Sequence, residues 1–204
     1  MKNLVLLILL YPILINAQDK KIIELQNKYF DEAGSELTHL KIKSAFTYYR
    51  FAYDLLPGTE LGKKSLKLSD SLKIILRKNL ITDIEGNWEI KIFNKLRTES
   101  DKKFYDKLGR FLRITKDSIF YFTKKRKLRR NKPSKRMKIT FCELMNYFPS
   151  YSDFIHPDNK IWHYRSDSTG NKLIILDYGK IENDRKNRTG NISHPSGYTY
   201  NRIK

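Results

Sequence analysis

Ten of the fifteen residues from Lys124 to Lys138 are Lys or Arg, and none is acidic. Ammonium and guanidinium groups at this density neutralise phosphate, sulfate or carboxylate, whether on anionic lipid, on a polysaccharide or on nucleic acid. The run carries +10 of the formal net charge of +19, so most of the excess charge sits in one segment. Its candidate anion ligands are Lys124, Lys125, Arg126, Lys127, Arg129, Arg130, Lys132, Lys135 and Arg136. The same residues would equally suit a solvated loop of a Lys-rich protein. Asn131, Pro133 and Ser134 at its centre predict a protruding hairpin tip or a disordered loop between two strands. Few aromatic residues are interleaved for base stacking, which places nucleic acid below the other anions.

Catalytic patterns are sparse by comparison. His39, His156, His163 and His194 show no His-Glu-x-x-His or other metal-ligand spacing, and His156 and His194 each precede a proline. No Gly-x-Ser-x-Gly elbow occurs, and nine glycines are too scattered for a phosphate-binding loop. Asp153 and Asp158 flank His156, an arrangement that an ordinary polar turn would also produce. Cys142 is the single cysteine and can make neither an internal disulfide nor a thiolate zinc cage. Within Ile139-Thr140-Phe141-Cys142 it reads as a buried strand residue. The expectation is a protein without catalytic residues, metal or cofactor.

The elements that must hold these groups begin with an export signal. Met1 and Lys2 make a short positive start, Leu4 to Ile15 is apolar apart from Tyr11 and Pro12, and Asn16-Ala17 offers a small residue for signal peptidase. Cleavage after Ala17 is expected, with the mature chain secreted or periplasmic and no membrane-spanning segment left in it. Export also separates the chain from intracellular nucleic acid. Thirteen Tyr, eleven Phe and two Trp are enough to build a core, which excludes a disordered basic tail. From Lys20 to about Thr82 apolar residues recur at intervals of three and four, the helical period. Gly34-Ser35 and Pro57-Gly58 divide this stretch into three helices, with Thr59 placed to cap the third. Beyond Gly86 the pattern becomes short β-branched and aromatic runs. The expected division is a signal at 1–17, a helical segment at 18–83 and a β domain at 84–204.

Ala45, Tyr49, Ala52 and Pro57 stand at offsets 0, 4, 7 and 12, and this spacing resembles the second helix of a tetratricopeptide repeat. Small alanines let two antiparallel helices approach while a Tyr ring fills the groove between them. Glu36 departs from the motif's aromatic position, and one unit falls short of the roughly three that a solenoid needs. The resemblance implies a helical hairpin that either packs on its neighbour or offers a groove to a protein partner.

Strands are predicted at 110–116, 119–123, 137–144, 160–165, 172–178 and 197–203, following a first strand at Glu85 to Ile92, with a further one within 146–155. Lys116-Asp117-Ser118 and Asp167 to Asn171 read as hairpin turns, so neighbours run antiparallel. The fold class expected is α+β: a three-helix segment, then an antiparallel up-and-down β-barrel or strongly curved sheet. Gly86-Asn87-Trp88 and the late Arg202 resemble the Gly-x-Trp opening and terminal-strand arginine of lipocalin-like domains. The resemblance covers residues 86–204 and implies a barrel floor closed by Trp88 under Arg202, with a lid-like loop at 97–109. It also implies a lumen for a small apolar ligand, with Leu112, Ile114, Phe120, Phe122, Ile139, Phe141, Trp162, Tyr164, Ile174 and Leu176 as its candidate lining. A filled core would use the same residues. The sequence thus admits two functions: a binding module with an apolar lumen, or a surface-association protein working through the basic tip.

Overall fold

The computed structural model describes residues 2–91, 109–143, 150–181, 188–189 and 197–203. The chain divides into two compact units, Met1–Leu76 and Arg77–Lys204. The boundary lies inside a helix, so the end of that helix belongs to the sheet unit.

The helices are α1 (Lys2–Thr38), α2 (Ile42–Leu55) and α3 (Glu60–Ile84). The expected break at Gly34-Ser35 does not occur; α1 runs through it, as a helix can at a cost of about 1 kcal/mol for an interior glycine. The chain turns at Leu40 instead, whose φ is 58°. Leu40 N–H donates to the Leu37 carbonyl and Lys41 N–H to that of Glu36, both at 2.9 Å. These two bonds form a Schellman termination, with leucine in the place usually held by glycine. α2 returns antiparallel to α1, with Tyr29 against Tyr48 and Phe51, and Phe30 against Tyr49. Ala33, Ala45 and Ala52 are fully buried, which permits this approach. Buried Gln26 donates from Nε2 to the carbonyls of Ala52 at 2.8 Å and Leu56 at 3.1 Å, satisfying groups that the end of α2 leaves open. Thr59 caps α3 as expected, accepting the Gly62 N–H at 2.9 Å.

Among the described residues of the second unit, nine strands form one antiparallel sheet: β1 (Gly86–Ile90), β2 (Phe111–Ile114), β3 (Ser118–Phe122), β4 (Lys135–Lys138), β5 (Asp153–Ile155), β6 (Lys160–Ser166), β7 (Lys172–Ile181), β8 (Arg188–Thr189) and β9 (Gly197–Arg202). The order is β4-β3-β2-β1-β9-β7-β6-β5, with β8 beside β7. First and last long strands therefore meet in the middle of the sheet. The expected strand 137–144 is displaced: β4 ends at Lys138, and Phe141 makes an isolated bridge to Phe154. Cys142 N–H donates to Asp153 and Ile155 N–H to Thr140, both at 2.8 Å, so the outer strands of the path are linked where the sheet curls into a half-barrel. Cys142 lies outside β4 and is half-buried, not the buried strand residue expected. Apart from Gly109, the expected lid loop lies outside the described residues.

The core fills the concave side. Trp88, Leu112, Ile114, Ile119, Phe154, Tyr164, Leu173 and Tyr200 are all essentially without exposure, and Leu80 and Ile84 from the end of α3 join them. Beside the C-terminal end of α3, the register sets Trp88 opposite Arg202. The Arg202 guanidinium lies over the indole, 4.3 Å from the ring centroid. Its three nitrogens donate to the carbonyls of Gly170 at 2.7 Å, Glu85 at 2.7 Å and Asp83 at 2.6 Å. The indole Nε1–H donates to the Ile84 carbonyl at 2.8 Å. Both side chains thus satisfy carbonyls at the C-terminal end of α3, where cations are favoured. Gly86 has φ 137°, and a Cβ there would lie 2.8 Å from Arg202 Nη1, so only glycine fits beside the guanidinium.

Arg202→Ala is expected to lower the unfolding free energy by roughly 2–3 kcal/mol, from lost charge-assisted hydrogen bonds and the cation–π contact. Arg202→Lys should recover less than half, since an ammonium cannot meet three carbonyls in the guanidinium's planar fork. Urea titration of the two variants beside the parent checks both values.

Candidate functional site

The expected lumen residues separate onto two faces. Leu112, Ile114, Trp162 and Tyr164 point into the core, with Ile139 and Phe141 half-buried against it. Phe120 and Phe122 do not: they join Phe111 and Leu128 in a second cluster on the opposite side of the sheet. Directly opposed residues share a face, and the register pairs Leu112 with Tyr121 and Ile114 with Ile119. The residues of β3 that turn inward are therefore Ile119 and Tyr121. Likewise Leu173 and Ile175 are the buried core residues of β7, which leaves Ile174 and Leu176 half-buried on the other face. The expected lining was one residue out of phase in both strands.

Within the apolar interior stands one polar group of contacts. His156 Nε2 lies 3.0 Å from the Tyr164 hydroxyl, and the buried Tyr121 hydroxyl has no hydrogen-bond partner among the described residues. Burial pushes the Tyr164 phenol well above its ordinary range. Burial also pushes the His156 imidazole down to about 4, against the opposing pull of the Asp158 carboxylate and with added repulsion from Lys135. The imidazole is thus held neutral at ordinary pH.

Asp153 does not serve His156. Its Oδ1 lies 2.8 Å from Nδ1 of His163, directly across the β5–β6 ladder. Ser152 Oγ lies 3.1 Å from that same nitrogen, and the ring stacks on Tyr178 at 5.0 Å. A hydrolytic relay needs serine and carboxylate on opposite ring nitrogens. Here both compete for one, so the three side chains make a polar clasp between strands. Nothing in the sequence spacing marks this trio, because only the strand register brings Asp153 and His163 together. Among the described residues no group of three or more His, Cys, Asp or Glu could hold a metal ion.

The basic run is where the structure departs most from expectation. It does connect two antiparallel neighbours, β3 and β4, as a hairpin would, but it is not a loop throughout: Lys125–Arg129 form a short helix, α4, and Lys135–Lys138 form β4. Leu128 fixes the helix to the sheet, 4% exposed against Phe111 and Phe122. Arg113 fixes it again, donating to the Leu128 carbonyl at 3.2 Å, to Asn131 Oδ1 at 3.0 Å and to Asn87 Oδ1 at 2.9 Å. Asn131, at φ 50°, turns the chain out of the helix. Lys124, Lys125, Arg126, Lys127, Arg129, Arg130 and Lys132 are all exposed. In β4 the run splits between faces. Arg136 lies over Phe120 at 5.3 Å and donates to Ser118 Oγ, while Lys135 stands opposite Tyr121 on the core-facing side. No member of the run makes an ion pair with a described residue.

No family model, curated protein or solved structure matches the chain. Among the described residues, no helix is long and apolar enough to cross a membrane.

The pH dependence of stability tests the interior. His156 has a folded value near 4 against the ordinary 6.5, so the unfolded chain takes up the proton first. Its contribution is complete above about pH 6.5 and is lost as pH falls toward 4, by roughly 3 kcal/mol. His156→Gln should flatten that slope in urea midpoints measured across the window; equal slopes in both proteins would contradict the assignment.

Proposed function

We propose that this chain is an exported, non-catalytic binding module on a lipocalin-like scaffold, and that its working surface is the α4–β4 face, which takes a polyanion, specifically an acidic polysaccharide. One observation carries the reading: the exposed cations from Lys124 to Lys132, none in an ion pair with a described residue, stand on a segment that Leu128 and Arg113 hold against the sheet. A solvated loop needs neither anchor. The Trp88–Arg202 pair supports the lipocalin-like scaffold, and the large side chains filling the concave side favour a structural core over a ligand lumen. Leu128, the one apolar residue of α4, faces the sheet, so the face offers charge without an apolar wedge for a bilayer. A polymer with anions along its length suits such a face better than a membrane does.

Like charges spaced along a short segment attract a polyanion strongly at low salt and weakly at high salt. The parent should bind immobilised heparin, used as a sulfated-polysaccharide probe, and elute at high salt. A variant with Lys125, Arg126, Lys127, Arg129 and Arg130 changed to Gln should lose affinity by tenfold or more. Leu128→Asp should also weaken binding, because α4 is released although most of the charge remains. An unchanged elution profile in the Gln variant rejects the proposal, and retention by anionic vesicles but not by heparin reassigns the face to lipid.

A further inference from the structure

A groove of about 490 Å³ opens on the convex side of the sheet where α4 begins, lined in part by Glu89, Lys91, Arg110, Lys125, Asn201 and Ile203. Its volume lies within the roughly 300–1,000 Å³ typical of small-molecule sites. Three separate parts of the chain bring cations to it: Lys91 just after β1, Arg110 just before β2, and Lys125 at the start of α4. Arg202 reaches the groove too, but its guanidinium is committed to three backbone carbonyls.

The groove is not a plain anion hole. Glu89 stands in it, paired with Arg110 at 3.2 Å, and Asn201 lies directly opposite Glu89 in the β1–β9 register. A carboxylate repels a bare phosphate or sulfate. Beside an amide, however, it provides what vicinal hydroxyls need: an acceptor for their O–H groups and a donor for their oxygens. Ile203 adds apolar surface and packs against the cluster that holds Leu128. Cations, a carboxylate beside an amide, and an aliphatic side chain together match a polyhydroxylated ring that carries an anionic substituent.

We infer that this groove is a subsite for one or two acidic sugar units, carboxylated or sulfated, and that it confers on the basic face a selectivity that charge alone lacks. The inference rests on the polysaccharide reading above. Lys125 belongs both to the groove and to α4, so a polymer lying along α4 passes the mouth of the groove. Lys91 and Arg110 would bind the acidic group, Glu89 and Asn201 the hydroxyls, and Ile203 the ring's C–H face.

Glu89→Ala separates a sugar site from an electrostatic basin, since the two give opposite signs. Removing a negative charge from a basin tightens anion binding. Removing the hydroxyl acceptor from a sugar site weakens it. The probe is a sulfated heparin disaccharide titrated into the full chain, read by backbone amide shifts, with inorganic sulfate as the control. Shifts should gather at Glu89, Lys91, Arg110, Asn201 and Ile203, and sulfate should bind at least tenfold more weakly than the disaccharide. Glu89→Ala and Asn201→Ala should each weaken the disaccharide by fivefold or more, with urea midpoints verifying that both fold. Tighter binding by Glu89→Ala, or equal affinity for sulfate, overturns the inference. A chain retained on heparin whose groove signals ignore the disaccharide also overturns it while leaving the polyanion reading intact. Groove binding without heparin retention does the reverse.

Discussion

A single guanidinium ties the second unit together. Arg202 covers the Trp88 indole and donates to the carbonyls of Asp83, Glu85 and Gly170. These groups come from the end of a helix, the start of the first strand and the β6–β7 turn, parts of the chain far apart in sequence. Each has a separate physical need. The helix leaves carbonyls without partners, the indole needs a lid, and the last strand needs a reason to lie beside the first. One planar group with a fixed fork of donors meets all three, and an ammonium could not. The absence of a side chain at Gly86 makes room for it.

Once the sheet curls around that point, its concave side is occupied. Indole, phenol and aliphatic groups fill it, and the polar pair of His156 with Tyr164 is held uncharged by burial. The opposite face of the sheet carries the short helix of the basic run. There a second, smaller apolar cluster of Phe111, Phe122 and Leu128 does for the basic run what the main core does for the strands. Ten like charges in fifteen residues repel one another and would keep an unanchored segment open. Burying one leucine contributes about 2 kcal/mol against that repulsion, and the hydrogen bonds of Arg113 hold the helix end and the following turn. A charged stretch becomes a charged face through those two side chains.

Some of this was legible from the residue order alone. The change of period near Gly86 and the hairpin turns could be anticipated from local signatures, and the Trp88–Arg202 contact from the resemblance of Gly86-Asn87-Trp88 and Arg202 to lipocalin-like domains. Phase within a strand could not. In Ser118-Ile119-Phe120-Tyr121-Phe122 and Leu173-Ile174-Ile175-Leu176, both alternating sets are apolar, so no contrast marks the inward face. Cross-strand register makes that choice, and it selected Tyr121 over Phe122 and Ile175 over Ile174. The end of α1 misled for the opposite reason: Gly34 is a strong local signal that the helix ignores, whereas Leu40 adopts a left-handed backbone that its type disfavours.

Composition and spacing by themselves determined the class of architecture and the concentration of charge, since these follow from side-chain chemistry and short-range periodicity. Tertiary structure alone decided which aromatic faces are core, that Asp153 serves His163, and that the basic run is a helix and a strand laid against the sheet. Those outcomes depend on which residues stand opposite one another across a ladder, a long-range relation that no local pattern of polar and apolar residues encodes.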